Sequence, residues 1–304
     1  MTEFRRVELD TGVTLNVALA GDPAKPAVML LHGFPESHRT WRLIVPLLEE
    51  DFHLVMPDQR GFAGSDRPQD VDAYRSDILV DDIFALADAL SLARFALVGH
   101  DWGGAIAWLA AARQDAPISR LAIINAPHWA VFQKSLIENE EQRRASQYIT
   151  MLRSAAAESA IRAMGFETFF DKVIGGNADL SKIPAAERRQ YIAEWSQPGA
   201  LTAMLNWYRA SPLVVPPPGA TIPLPDALLN LAKKIHVPTL VIWGMADSAL
   251  LPVQLDGLDS LVDDLSIVRL ADVRHFAPWE AADQVASALQ HFLAAEADAS
   301  AAAT

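Results

Sequence analysis

A chain of 304 residues, 51% hydrophobic and 21% charged, is too apolar to remain disordered and long enough for one large core. Its 38 acidic against 25 basic residues leave a formal charge of −13, which argues against a phosphate-tracking nucleic-acid binder, since that needs a basic stripe. The absence of cysteine removes disulfides, thiolate metal sites and a Cys nucleophile, and suits a reducing cytoplasm.

The N-terminus, MTEFRRVELDTG, is charged and then alternating, with no apolar signal core. Residues 4–20 read as two strands turning at Asp10-Thr11-Gly12. Ala27–Leu31 and Phe52–Pro57 are short apolar runs of the kind buried on both faces of a parallel sheet. Helical spacing occupies Trp41–Glu50 between them, and 73–91 after them, where Ile78, Leu79, Ile83, Leu86 and Leu90 share one face. Phe95–Val98 is a further buried strand, a helical stretch follows to Arg113, and Leu121–Ile124 is the next strand. This alternation argues for an open, mostly parallel α/β sheet.

After Pro127 the alternation stops. Helical stretches are expected around 135–162, 185–195 and 198–210, followed by a connection rich in proline (Pro212, Pro216, Pro217, Pro218, Pro223, Pro225). Strands resume at Pro238–Trp243 and Ser266–Leu270, and a closing helix at 279–294 leads to a low-complexity tail expected to fray. The division is therefore a core of residues 1–128 and 233–304 with a helical cap at 129–232, lying over the carboxyl ends of the strands where open-sheet sites form. No apolar run nears the roughly 20 residues a bilayer span requires.

The chemistry concentrates in Leu97-Val98-Gly99-His100-Asp101-Trp102-Gly103-Gly104. A buried strand passes into a helix through a corner with glycine two residues either side of a polar one, the pattern G-x-S-x-G with Asp101 in the serine position. His32-Gly33-Phe34-Pro35 follows an earlier strand and can aim the Phe34 amide, beside that of Trp102, as an oxyanion hole. Asp247 follows a late strand in Trp243-Gly244-Met245-Ala246-Asp247, and His275 precedes the last helix. The order Asp101, Asp247, His275 is nucleophile, acid, base.

With these motifs on the page, the chain resembles the α/β-hydrolase superfamily over roughly residues 4–294, and more narrowly its epoxide hydrolase branch. HGFPESHRTW, DQRGFAGSDRP, GHDWGG, Asn125-Ala126-Pro127-His128 and Asn206-Trp207-Tyr208-Arg209-Ala210 carry the likeness. The resemblance implies a mostly parallel eight-stranded sheet with an inserted cap. It makes Tyr208, and Tyr148 in Ser146-Gln147-Tyr148-Ile149, the pair that donates to an epoxide oxygen. It also places Phe34, Trp102 and Trp207 against a small apolar epoxide, with water as the only other reactant and no cofactor or metal. Homodimerisation is left open.

A carboxylate nucleophile narrows the reaction by itself. Attack on a carbonyl would give an anhydride, whereas displacement at saturated carbon gives an ester that water can open. Epoxide opening and haloalkane dehalogenation both fit. The alkoxide of an epoxide needs acidic O–H donors; a halide needs only N–H donors, which Trp129, Trp195 or Trp207 could supply. The stretch Trp102–Ala107 has no arginine to hold a carboxylate, against a fluoroacetate dehalogenase. A ligand-binding protein of the same fold, without catalysis, is the remaining alternative. His32, His100 and Asp58-Gln59-Arg60-Gly61 read as structural.

Overall fold

The structure, a computed structural model, describes residues 2–223 and 233–301. Eight strands form one sheet in the order β1-β2-β4-β3-β5-β6-β7-β8. They are β1 (Glu3–Glu8), β2 (Thr14–Ala20), β3 (Ala27–Leu31), β4 (His53–Pro57), β5 (Phe95–His100), β6 (Ile118–Ile124), β7 (Thr239–Gly244) and β8 (Leu265–Leu270). The first two pairings, β1 with β2 and β2 with β4, are antiparallel; from β4 to β8 every pairing is parallel.

Alternate residues of each central strand enter different cores, as the two-residue pleat requires. Leu30, Val98, Ile124 and Ile242 face one apolar layer with Trp41, Leu48 and Leu289, the side of α1 (Val45–Leu48) and the last helix. Met29, Leu97, Ile123 and Val241 face the other, with α2 (Ser76–Ala89) and α3 (Trp102–Ala111). Both faces are covered, which is why these strands read as continuous apolar runs.

Between β6 and β7 the described chain is helical. It comprises α4 (Trp129–Glu138), α5 (Glu140–Ala145), α6 (Gln147–Arg153), α7 (Ala157–Met164), α8 (Phe166–Val173), α9 (Ala185–Trp195) and α10 (Ala200–Ala210). The stretch expected as helix over 135–162 is thus broken, and starts earlier. Asn139 ends α4 and caps α5, its side chain accepting from Gln142 N–H at 2.8 Å. Such short polar side chains satisfy the orphan amides of a new helix start, so they punctuate where periodicity alone continues. α8 has no counterpart in the sequence expectation; Gly165, at φ 80°, turns the chain into it. The end of the segment, 224–232 with Pro225, lies outside the described residues.

Trp41–Glu50 is a 3₁₀ turn (His38–Trp41) and the single turn of α1. The closing helix divides into α11 (Ala277–Glu280) and α12 (Ala282–Ala301). The alanine-rich tail thus continues the helix to residue 301, in line with alanine's helix propensity. No helix among the described residues is long and apolar enough to cross a membrane.

Candidate active site

Asp101 sits between β5 and α3 at φ 50°, ψ −123°, a strained backbone for a residue with a side chain. The glycines around it make the corner possible. A Cβ on Gly99 would lie 2.6 Å from the Gly103 backbone, and one on Gly103 2.3 Å from the Leu31 carbonyl oxygen. A Cβ on Gly33 would meet that of Asp101 at 2.3 Å, so the turn after β3 comes directly against the carboxylate. The corner lifts Asp101 above the carboxyl ends of the parallel strands.

Each oxygen of Asp101 has its own neighbour. The Phe34 amide donates to Oδ1 at 2.7 Å, while Nε2 of His275 lies 3.5 Å from Oδ2. On the other side of the imidazole, Nδ1 is 2.7 Å from Asp247 Oδ2. Asp247 is fixed in turn: Oδ1 accepts from the Ala249 and Leu250 amides at 2.9 Å each, and Oδ2 from Asn125 Nδ2 at 2.9 Å. Burial pulls the His275 imidazolium down, but the charges of Asp247 and Asp101 and their hydrogen bonds outweigh it, and it is pushed up to about 10. Burial pushes the Asp101 carboxyl up; the hydrogen bond and charge of His275 outweigh that and hold it below the usual range. Both shifts favour the ion-paired form of Asp101 and His275.

Tyr148 on α6 and Tyr208 on α10 come together across the site, ring centroids 6.2 Å apart and edge to face. Tyr208 also packs on Phe34 at 5.0 Å and Trp102 at 5.2 Å. Burial, then neighbouring groups including the Asp101 charge, raise both phenols above their ordinary value, so both stay protonated donors. Phe34, Tyr148 and His275 line a cavity of about 430 Å³; Asp101, Trp102, Tyr148 and Tyr208 line a smaller one of about 40 Å³. The walls are apolar around a few convergent polar groups, the character of a small-molecule site. Among the described residues no cluster of three or more His, Asp or Glu is placed to hold a metal ion.

Residues 26–282 match the alpha/beta hydrolase fold family. The chain belongs to that family. This α/β-hydrolase is 37% identical over 238 residues to the AB hydrolase superfamily protein YfhM of Bacillus subtilis, covering 78% of this chain and 79% of that one. It is 31% identical to epoxide hydrolase A of Mycobacterium tuberculosis over 93% of this chain and 94% of the relative. Among solved structures, one described as novel epoxide hydrolases in metagenomes from hot environments shares 42% identity at a TM-score of 0.85, with 96% of this chain and 99% of that one aligned. A mutant of an epoxide hydrolase from Bacillus megaterium, in complex with its product diol, aligns at 27% identity and a TM-score of 0.84 over 95% and 99% of the two chains.

Of the residues picked out in the α/β-hydrolase sequence, Asp101, Asp247, His275, Tyr148, Tyr208, Phe34 and Trp102 converge. Trp207 does not. It is buried behind Trp102, its indole N–H donates to the Arg60 carbonyl at 2.9 Å, and it borders neither of the two cavities. As the residue preceding Tyr208 on α10, it points elsewhere because helical neighbours diverge by about 100°. His32 and Arg60 are buried in hydrogen bonds away from Asp101: His32 accepts from the Gln59 amide, and Arg60 forks onto Asp82 with two contacts of 2.7 Å.

Sequence reasoning missed Asn125 as a site residue. It follows β6 at φ 43°, and its amide joins Asp247 to the Gly244 backbone, from which Oδ1 accepts at 2.9 Å. A polar residue directly after a buried strand was the available signal. His100 fixes the base from behind, its Nε2 2.9 Å from the His275 carbonyl oxygen.

Proposed function

We propose that this hydrolase converts epoxides to vicinal diols through a covalent ester on Asp101. The observation that carries the reading is a carboxylate at the strained corner with two protonated tyrosines facing it. Phe34 N–H occupies Oδ1, so Oδ2, which faces His275 Nε2 at 3.5 Å, is the nucleophile. Oδ2 attacks a ring carbon, the C–O bond breaks, and Tyr148 and Tyr208 hydrogen-bond the departing oxygen and relay a proton to it. The count closes within the site. Esterification removes the Asp101 charge that helps keep His275 protonated, so the imidazolium gives up a proton as the alkoxide takes one.

Neutral His275 then takes a proton from water, and the hydroxide adds to Asp101 Cγ. The Phe34 and Trp102 amides hold the oxyanion, and collapse expels the diol oxygen, protonated by the imidazolium. The new carboxylic acid reionises beside His275, restoring the ion pair. Asp247, held by three donors, orients the ring for both transfers.

In this reading residues 129–232 form a cap that delivers the two tyrosines to a core of 1–128 and 233–304, in a reducing cytoplasm. Halide displacement fits less well. The indole N–H groups of Trp129, Trp195 and Trp207, the candidates for a halide, are bonded to the carbonyls of Ala105, Pro35 and Arg60. The test is a panel of aryl and alkyl epoxides against haloalkanes, scored for diol and for halide. Diol from epoxides, lost in Asp101→Ala, is expected; halide release exceeding diol formation would assign dehalogenation instead. No turnover of either class would leave a ligand-binding protein.

A further inference from the structure

The two cavities are unequal and share Tyr148 in their walls. The smaller, about 40 Å³, borders Asp101 and is lined by Trp102, Trp129, Leu213 and Leu250. It offers about a tenth of the room of the larger cavity. The larger, about 430 Å³, reaches from Phe34 and His275 to a rim of Met151, Met164 and Lys172. A volume of this size falls within the roughly 300–1,000 Å³ of small-molecule sites. Met151 and Met164 are 62% and 37% exposed and Lys172 is exposed, which marks this rim as the mouth.

Most polar groups in the larger wall are committed, the exceptions being the Tyr148 hydroxyl, which serves the reaction, and Lys172. Ser248 Oγ donates to Asn177 Oδ1 at 2.9 Å, and Asn177 Nδ2 to the Val173 carbonyl at 3.2 Å. His275 is held by Asp247. The Lys172 ammonium forms no ion pair among the described residues, although its helix carries Asp171 and Glu167, both engaged by Arg188 at 2.9 and 2.8 Å. In a chain with 38 acids and 25 basic residues, a lysine left unpaired does not reflect a shortage of carboxylates. It is a cation at the exposed rim of a mostly apolar cavity whose wall also includes Tyr148 and His275.

We propose that Lys172 binds a carboxylate at the end of the substrate remote from the ring. The preferred class is then a terminal epoxide on an unbranched apolar chain that ends in a carboxylate. The small arm takes the unsubstituted ring carbon, the large arm the chain, and Lys172 the anionic head. This specificity rests on the epoxide reading above, and Lys172 acts on binding, being exposed at the rim while His275 is buried.

The test compares kcat/KM for the terminal epoxide of undecanoic acid with that of its methyl ester, below the micellar concentration and alongside styrene oxide. One partly solvated charge pair is worth roughly fivefold, so the acid should be favoured over the ester by about that factor. The ratio should shrink at roughly 1 M salt, where the screening length is about 3 Å. It should fall to about one in Lys172→Met, invert in Lys172→Glu by about the same factor, and survive in Lys172→Arg. The epoxide of oleic acid, with long chains on both ring carbons, should be turned over at least tenfold more slowly than the terminal acid. An acid-to-ester ratio that is unchanged across the Lys172 variants would overturn the carboxylate site while leaving epoxide hydrolysis standing. Equal turnover of the oleic acid epoxide would overturn the size limit. Failure on every epoxide, styrene oxide included, would remove the epoxide reading and this specificity with it.

Discussion

Replacing the Tyr208 hydroxyl isolates the step that separates epoxide opening from halide displacement. The ring of Tyr208 is held edge to face by Phe34, Trp102 and Tyr148 at centroid distances of 5.0, 5.2 and 6.2 Å. Phenylalanine retains those contacts, so Tyr208→Phe removes a proton donor and little packing. One lost acid catalyst is worth about 10²-fold, or about 2.7 kcal/mol in the barrier. The two hydroxyls converge on one oxygen, so Tyr148→Phe with Tyr208→Phe should cost more than either alone but less than the product of the two. Rapid-quench measurement of Asp101 alkylation, with an epoxide and a bromoalkane of similar shape, reads the step directly. The double variant should lose epoxide opening and keep bromide displacement, because bromide leaves without a proton. Unimpaired epoxide opening in the double variant would remove the tyrosines from the mechanism.

Asp247→Asn should slow ester hydrolysis by about 10²-fold or more and alkylation less, seen as ester accumulating in single-turnover mass spectra, since the ring loses its orienting acceptor. Acidification should trap the ester too. Asp101, held below the usual carboxyl range, stays ionised for attack, whereas His275 must be neutral for hydrolysis and is protonated as pH falls through its value in the ester, which lies below the resting value of about 10. An ester fraction that does not rise with acidity would contradict that order. Asn125→Ala leaves the Gly244 amide and Asp247 short of a buried partner, and should cost about 2–3 kcal/mol in urea unfolding as well as slowing hydrolysis. Gly103→Ala should destabilise by about 3 kcal/mol because its Cβ meets the Leu31 and His32 carbonyls, while Gly12→Ala, at φ 81° with open space, should cost about 1 kcal/mol.

The legible parts of this chain are those where one physical demand admits few residues. The corner at Asp101 requires glycine at 99 and 103 because backbone lies within 2.6 Å of any added Cβ, and that demand is written in the sequence. Strands buried on both faces declare themselves as apolar runs, so the strand positions are readable, with shifts of a residue or a few at their ends. The helices from 129 onward are less legible. Apolar spacing runs on across Asn139 and Ser154, where side-chain capping or an extended backbone ends the helix. Trp207 shares a motif with Tyr208, and only the helical phase sends it to Arg60 instead of the site. Asn125 and Lys172 depend on which distant segments meet them, Gly244 and Asp247 for one and the mouth of the cavity for the other. No local pattern carries that information.

The central claim, a covalent ester on Asp101 opened by water, is tested most directly by isotope. Enzyme in excess is given one turnover of an epoxide in ¹⁸O-water, then digested, and the peptide containing Asp101 and the diol are weighed separately. Attack of water on the ester carbonyl predicts that the label enters the Asp101 carboxylate and that the first diol released is unlabelled. Label in the first diol, with none on Asp101, would mean that water opens the ring itself and that the carboxylate is not the nucleophile.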